Sequence, residues 1–310
     1  MTRDKVLTVL LCGVAMAVHP GAPLWGAPIP LANASFESPA VAFVSTQIDG
    51  WQKTPKPESY DESDGFLWSQ LTGLFRNTPA GSADHIDNCD GNQAIWVFAV
   101  PGAGLFQESS PSAGGGLAPQ TLTGSFEVGR AYQLSAGVIG MGGGMSNGVT
   151  LGIGLYYRDA ASNQVVVAEA IATNSPAVFS NRTHLVEFRA ELPTVRTQDP
   201  WANQPIGIRL LSTVGAQLQG GYWDLDNIRL REIRAPVLGL RPAGGEGLAL
   251  SVESETGLVL EILGAGRLDA PPGGWVPLTT VTNESGRVPV PIPAAQEAAW
   301  YYRARELGAE

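Results

Sequence analysis

The sequence predicts an all-β protein: a jelly-roll β-sandwich followed by a small C-terminal β-domain. Glycine and proline are abundant, with 38 and 23 residues in a chain of 310. Short apolar alternations recur between turn residues, whereas long segments with the 3.6-residue period of a helix are nearly absent. We therefore expect strands joined by turns to build the whole molecule.

The N-terminus has the pattern of a secretory signal. Arg3 and Lys5 precede an apolar run that is too short to span a bilayer as a helix. Two small-residue cleavage sites stay open, one after Ala17 and one after Ala27. We predict that residues 1–27 are a signal peptide and that the mature chain is secreted, cell-surface or periplasmic, without membrane insertion.

The charge balance excludes one class of partner. Acidic residues outnumber basic residues by 29 to 19, and the formal net charge is −10. A polyanion would be repelled, so we expect neither nucleic acid nor an anionic membrane as a partner. Of the two cysteines, Cys12 lies in the predicted signal, which leaves Cys89 without a partner for an internal disulfide.

Residues 28–232 are predicted to form the jelly-roll domain. Segments 132–138 and 186–192 alternate between apolar and polar residues, which is typical of half-buried antiparallel strands. Segments 151–155 and 206–210 continue this pattern. Strands separated by clusters of Gly, Asn, Pro and Ser favour a sandwich or jelly roll.

A change of composition after Arg231 predicts a second unit. We interpret residues 233–242 as a linker and residues 243–310 as a small β-sandwich-like domain. Its predicted strands are the alternating segments 248–252, 258–262 and 288–292 and an aromatic last strand at 300–302.

Several short motifs follow one another along the predicted jelly-roll domain. They are NASFESP at 33–39, GW at 50–51, DGNQA at 90–94, GLFQ at 104–107 and WDLDNIRL at 223–230. In this order they resemble the motifs of exported bacterial galactose-binding-like jelly rolls, which include many carbohydrate-binding modules and proteins with PEP-CTERM sorting tails. The sorting tail itself is not in this sequence, and the resemblance extends over about residues 29–232.

The resemblance implies a structural Ca²⁺ ion, which some relatives hold between their first and last strands. The residues give a second reason to examine this place. If Ile228 faces the core, period two places Asp226 on the same inward face, but Trp223 follows the opposite phase, so we predict a bulge near Asp226. A carboxylate at a core edge needs pairing, and a hard cation supplies it. We predict Glu37 and Asp226 as ligands. In the alternative, Asp226 accepts backbone hydrogen bonds in a turn and Glu37 is a solvated charge at the end of a strand.

Exposed aromatic residues near loops are the candidates for ligand binding, because sugar rings stack their apolar faces on flat π-systems. Trp51, Trp68 and Trp201 lie among polar or proline-rich neighbours and are the predicted ligand-binding residues. Trp96 alternates with Phe98, and we expect it in the core instead. Packing remains the alternative role for each tryptophan.

No catalytic constellation is evident in the sequence. Residues 144–148 match G-x-S-x-G, but the segment after them is predicted to be a strand, whereas a hydrolase needs a helix there. The histidines outside the predicted signal fit no metal spacing. Carboxylates paired across strands, such as Glu187 with Glu169 or Asp159, stay open because sequence does not show such pairing. We therefore predict that the chain is not an enzyme.

Together these features favour a secreted, non-catalytic binding module. The resemblance implies an extracellular glycan or an envelope component as its partner. Two alternatives stay open: a structural or adhesive extracellular protein, and a polysaccharide-active enzyme.

Overall fold

A computed structural model describes residues 28–63, 65–109, 122–233, 236–243, 247–254, 256–291 and 301–307. The predicted signal peptide and both of its cleavage sites lie outside the described residues. Among the residues that are described, no helix has the length and apolar character needed to cross a membrane.

The described residues form a series of strands with three 3₁₀ turns. The strands of the first unit are β1 (Pro28–Ile29), β2 (Val44–Ser45), β3 (Gln52–Lys53), β4 (Thr72–Arg76), β5 (Gln93–Phe98), β6 (Gly104–Glu108), β7 (Ala131–Gly142), β8 (Thr150–Arg158), β9 (Gln164–Thr173), β10 (Val186–Leu192), β11 (Gly207–Ser212) and β12 (Tyr222–Ile233). The strands of the second unit are β13 (Val237–Ala243), β14 (Gly247–Glu253), β15 (Val259–Ala265), β16 (Val276–Thr282), β17 (Arg287–Val290) and β18 (Tyr301–Glu306). The 3₁₀ turns are Trp68–Gln70, Ala216–Leu218 and Pro272–Gly274.

Two antiparallel sheets build the first unit. In the described residues, the seven-stranded sheet has the order β10-β7-β12-β5-β4-β2, with β1 also paired to β12, and the five-stranded sheet has the order β3-β6-β11-β8-β9. Apart from β4–β5 and β8–β9, neighbouring strands are not consecutive in the chain, as the crossing connections of a jelly roll require. The predicted fold class, an all-β jelly-roll sandwich, is confirmed.

The main core lies between these two sheets. Alternate residues of β8, including Ile153 and Leu155, are fully buried in it, as the alternation predicted. Segment 132–138 differs from its prediction, because its polar residues are buried as well. Gln133 on the outer face donates to Glu191 and accepts from Arg231, each at 2.9 Å. Long polar side chains of the neighbouring strands thus cover the face that we expected to be open.

The second unit consists of two three-stranded sheets, ordered β13-β14-β17 and β16-β15-β18 within the described residues. A small cluster forms its core: Leu250, Val252, Leu260, Ile262 and Val290. Most of the predicted linker is strand β13, which pairs along its length with β14. Leu238 alternates with the exposed Val237 and packs on this core, which explains why the segment is a strand.

The predicted bulge lies in β12. The register of β12 against β7 shifts between Asp226 and Arg229, and Asn227 has a positive φ of 59°. Leu225 before the shift and Ile228 after it are both fully buried in the main core. The extra residue therefore lets both apolar phases reach the core.

Candidate active site

A row of residues crosses the outer face of the seven-stranded sheet. Gly73 of β4 lies opposite Trp96 of β5. Trp96 lies in turn opposite Asp224 of β12, and Asp224 lies opposite Ile139 of β7. Leu225, the next residue of β12, is fully buried in the main core, so Asp224 points to the other side of the sheet. The carboxyl group thus has apolar residues on both neighbouring strands.

Glycine leaves room for the indole of Trp96. A Cβ atom at Gly73 would lie 2.2 Å from Cζ2 of Trp96, so the ring lies directly over the glycine. The indole Nε1 donates to the carbonyl oxygen of Gln70 at 3.0 Å, which fixes the ring. Trp96 is partly exposed and lines the space above the row.

Tyr222 lies over a second glycine beside this row. A Cβ atom at Gly142 would lie 2.6 Å from Cε2 of Tyr222. The ring of Phe98 packs against the tyrosine, with 5.9 Å between the ring centroids. Burial raises the pKa of Tyr222, and the nearby charges of Asp224 and Asp84 raise it further, so the hydroxyl keeps its proton.

The aromatic residues surround a cavity of about 770 Å³. Its apolar lining includes Phe43, Phe75, Trp96, Phe98, Ile139 and Tyr222. Its charged lining residues are Arg76, Asp84, Arg182 and Asp224. A concave apolar surface with a few polar groups is the usual form of a small-molecule site.

Asp224 is the chemically distinctive group of this cavity. Its carboxylate makes no hydrogen bond or ion pair with the described residues, and part of its surface stays open to the cavity. Burial raises the pKa of Asp224 from 3.8 to about 7. A carboxylic acid that keeps its proton near neutral pH can act as a general acid.

Asp226, two residues further along β12, is held differently. Its Oδ2 accepts a hydrogen bond from the backbone N–H of Asp90 at 2.6 Å and another from the thiol of Cys89 at 3.2 Å. Burial raises its pKa to about 6, although hydrogen bonds from Asn227, Cys89 and Asp90 oppose this. Burial, followed by the charge of Asp226, raises the pKa of Cys89 far above its usual value, so this thiol is not a nucleophile.

Glu37 fixes the same turn from its other side. Its Oε1 accepts hydrogen bonds from the backbone N–H groups of Asn92 and Gln93, both at 2.8 Å. Gly91 lies so close that a Cβ atom there would be 2.5 Å from this oxygen. The structure therefore brings the two predicted calcium ligands, Glu37 and Asp226, to one turn.

The two carboxylates fit a calcium ion in one specific respect. Oδ1 of Asp226 is buried and has no hydrogen-bond partner among the described residues, so a cation would satisfy it. The described residues hold no group of three or more His, Cys, Asp or Glu side chains suited to a metal. Backbone carbonyls would therefore have to complete the six or more oxygen ligands that Ca²⁺ requires. The ion itself stays a prediction.

The predicted sugar-stacking tryptophans are engaged in packing. Trp51 is buried against Phe36, with 5.3 Å between the ring centroids. Trp68 is buried against Tyr60, with 4.9 Å between the centroids. Trp201 is partly exposed and packs against the main core. The rings of Trp51 and Trp68 are thus covered by protein. Polar neighbours in the sequence were therefore not a sign that these two side chains are exposed.

The predicted ligand residues and the cavity are separate. Trp51, Trp68 and Trp201 do not line the cavity, whereas Trp96, which we expected in the core, does. Asp224 was not among the predicted site residues. One available signal was that Trp223 and Leu225 are apolar, which by period two assigns Asp224 to the opposite face.

The fold and this cavity define a β-sandwich protein with a half-buried carboxyl group in a largely apolar cavity. Residues 27–231 match the model of the HpiC1-like protein family, which is described as HpiC1 cyclase. Because this match includes more than half of the sequence, the chain belongs to the HpiC1-like cyclase family. The prediction that the chain is not an enzyme is therefore wrong: the sequence motifs that we tested do not include a lone acid in an apolar cavity.

Solved structures give more distant likenesses. The Stig cyclase Fisc from Fischerella sp. TAU, in complex with a 3H-indole compound, is 20% identical with a TM-score of 0.48, and the match covers 68% of this chain and 99% of that chain. The CBM22-1 xylan-binding domain of Paenibacillus barcinonensis Xyn10C is 10% identical with a TM-score of 0.33, over 60% of this chain and 86% of that chain. No curated protein matches the sequence. The relation to PEP-CTERM proteins stays a prediction.

Proposed function

We propose that this protein is a cyclase that protonates an unsaturated small molecule with an apolar body in the cavity on the outer face of the seven-stranded sheet. Asp224 is the acid. The observation that carries the proposal is the position of this carboxyl group, which lies without a polar partner among the described residues, opposite Trp96 and Ile139. Membership of a cyclase family supports it.

The reaction begins with the proton of Asp224. Its pKa of about 7 leaves a large fraction of the carboxyl groups protonated at neutral pH. Transfer of that proton to a double bond leaves a carboxylate and an electron-deficient carbon. A second double bond of the same molecule attacks this carbon and closes the ring. The cyclic cation then loses a proton, which gives an isomer of unchanged mass. That proton, or one from water, restores the protonated carboxyl group of Asp224.

The aromatic lining assists the cationic stage. Trp96, Phe98 and Tyr222 lie around the acid, and their π-faces stabilise a positive charge by about 0.5–2 kcal/mol each. Their bulk also excludes water, which would otherwise capture the cation. The rigid placement of Trp96 over Gly73 holds the substrate near the acid.

The first experiment follows the proton. The purified protein is incubated in D₂O and in H₂O with a panel of apolar compounds that contain two or more double bonds, and the products are analysed by mass spectrometry. We expect a cyclic isomer of unchanged mass in H₂O and one deuterium in the product formed in D₂O. The Asp224→Asn variant should form the product at least about a hundredfold more slowly, and an undiminished rate in this variant would contradict the role of Asp224.

A second measurement needs no substrate. Infrared difference spectra of the wild-type protein and Asp224→Asn isolate the carbonyl band of a protonated carboxyl group. We expect the band at pH about 6 and its loss above pH about 8, on either side of a pKa near 7. Absence of the band at pH about 6 would show that Asp224 is ionised and would overturn the proposed acid.

We also propose that Glu37 and Asp226 hold a structural Ca²⁺ ion that stabilises the turn between them. The free Oδ1 of Asp226 supports this. A bound ion at a hundred times its Kd adds about 2.7 kcal/mol to the free energy of unfolding. Thermal unfolding with Ca²⁺ and with EDTA tests it: the melting temperature should fall with EDTA in the wild type and stay constant in Asp226→Asn.

Glycan binding is a second candidate function. With Trp51 and Trp68 buried, the aromatic surface that supports it is Trp96, which lines one cavity together with the polar groups Arg76 and Asp224. A glycan array with wild-type protein and Trp96→Ala tests it. Binding that is lost in the variant supports the proposal, and no binding by folded wild-type protein contradicts it for that panel.

A further inference from the structure

We propose that the substrate of this cavity carries an oxyanion, such as a carboxylate or a phosphate, which Arg76 and Arg182 bind at the mouth while the apolar body of the molecule lies against Trp96. The inference rests on the proposed function, because it names the substrate class of the same site. It goes further in assigning two specificity-determining residues.

Both arginines lack side-chain partners within the described part of the chain. Neither Arg76 nor Arg182 makes an ion pair or a side-chain hydrogen bond with the described residues, and both line the cavity. Most arginines of the sandwich are paired with carboxylates: Arg130, Arg158, Arg189, Arg209 and Arg229. In a chain of net charge −10, acidic partners are abundant. Two unpaired arginines at one cavity therefore indicate a ligand that supplies the negative charge.

The topology places the arginines on opposite sides of the acid. Arg76 ends β4, whereas Arg182 lies in the segment that leads into β10 at the other end of the sheet order. Asp224 lies on β12, between these strands. An anion that both guanidinium groups bind would thus be held across the mouth, above the carboxyl group, by planar donors that match an oxyanion.

Charge at the cavity favours an anion. Asp84 is exposed and makes no ion pair with either arginine among the described residues. The other acidic group, Asp224, is half-buried between Trp96 and Ile139, whereas both arginines are exposed. The charged groups exposed at the mouth are therefore two arginines and one aspartate.

Exposure divides the cavity into two parts. The arginine side chains are exposed to water at the mouth, as is Phe43, which is 76% exposed. Trp96 and Ile139 lie deeper, beside the acid. An amphipathic anion would keep its charge hydrated at the mouth while its apolar part enters, and this arrangement fixes which end of the molecule reaches Asp224.

A matched pair of fluorescent probes tests the proposal. Anilinonaphthalene sulfonate and its uncharged parent, phenylnaphthylamine, share one aromatic skeleton and differ by the sulfonate. We expect the wild-type protein to bind the sulfonate about tenfold more tightly than the parent. The double variant Arg76→Gln/Arg182→Gln should lose this preference and still bind the parent. Arg196→Gln removes an exposed arginine outside the cavity and should keep the preference.

The outcomes separate this inference from the proposed function. One outcome contradicts the anion site alone. In it, the parent compound binds and Trp96→Ala weakens that binding, but the wild type does not prefer the sulfonate, or the double variant keeps the preference. The cavity then remains the substrate site. If neither probe binds, or if Trp96→Ala changes neither affinity, both the anion site and the cavity as binding site are overturned. Circular dichroism confirms that each variant is folded.

Discussion

Asp224 and Asp226 share one strand and one stretch of sequence, and the structure uses them in different ways. Asp226 is fully buried and accepts hydrogen bonds from the turn that contains Cys89 and Asp90. Asp224 is partly exposed in an aromatic cavity and has no such donor among the described residues. Burial raises the pKa of both, to about 6 and about 7.

The difference comes from what covers each carboxyl group. Asp226 lies opposite Gly137, and the segment that carries Ile86 and Cys89 packs over this part of the sheet. Asp224 lies opposite Ile139, at the edge of that cover, where the cavity begins. A carboxyl group with fixed donors serves structure, whereas one without them retains a proton that it can transfer.

The largest expected effect separates the two acids by activity. Asp224→Asn should lower kcat about 10²–10⁴-fold, the usual contribution of a general acid, while the free energy of unfolding stays constant or rises because a neutral side chain replaces a poorly solvated acid. Turnover of the cyclised substrate and urea unfolding measure these two quantities. Equal activity of Asp224→Asn and the wild type would remove the distinction between the acids.

The reverse effect is expected at the second acid. Asp226→Ala leaves the N–H of Asp90 without an acceptor and should lower the free energy of unfolding by about 1–3 kcal/mol. Denaturant unfolding measures this loss. Binding of phenylnaphthylamine in the cavity should change little at a temperature where the variant is folded. A stability loss below about 0.5 kcal/mol, the range of ordinary surface substitutions, would show that the turn does not depend on Asp226.

The Asp226 region was partly predictable from sequence. Two apolar phases meet at Asp226, and only an inserted residue lets both Leu225 and Ile228 face the core, so a bulge followed from pattern alone. The structure confirms it by the register shift. The prediction of Glu37 as a ligand came from a resemblance. Its hydrogen bonds to the turn at 89–93, which also contacts Asp226, join segments that are distant in sequence, so the sequence does not show them.

The Asp224 region was not predicted, for a physical reason. Its row joins Gly73, Trp96, Ile139 and Asp224 from four strands, and their register is fixed by the fold. The space above Gly73 that accepts the indole is invisible in a linear sequence. The expectation that Trp51 is exposed was wrong for the same reason. Its polar neighbours in sequence do not show that its ring packs on Phe36.

A third test changes the cavity and leaves both acids in place. In Gly73→Ala, the new Cβ would lie 2.2 Å from the Trp96 ring, so the indole must move into the cavity. We expect about tenfold weaker binding of phenylnaphthylamine and a stability loss of about 1 kcal/mol. Gly215→Ala is the control, because its Cβ would meet only an ordinary contact at 3.5 Å. Unchanged probe binding in Gly73→Ala would show that Trp96 does not shape the binding site.

The remaining expected effect is on the pH dependence of stability. Asp224 has its usual pKa near 3.8 in the unfolded chain and a pKa of about 7 in the folded one. Between these values the native state holds a proton that the unfolded state has lost, so this group makes the free energy of unfolding fall as the pH rises from about 4 to about 7. One such proton changes the slope by at most about 1.4 kcal/mol per pH unit.

Carboxylates with lowered pKa values, such as Asp159, give the opposite slope, so only the difference between proteins is informative. The difference in free energy of unfolding between the wild type and Asp224→Asn should decrease steadily from pH about 4 to about 7 and then level off. The same comparison with Asp226→Asn, made in EDTA so that no Ca²⁺ is bound, should level off about one pH unit lower, because the pKa of Asp226 is about 6. If the two curves level off at the same pH, the two acids have the same pKa in the folded protein, and the turn that covers Asp226 does not change its pKa relative to that of Asp224.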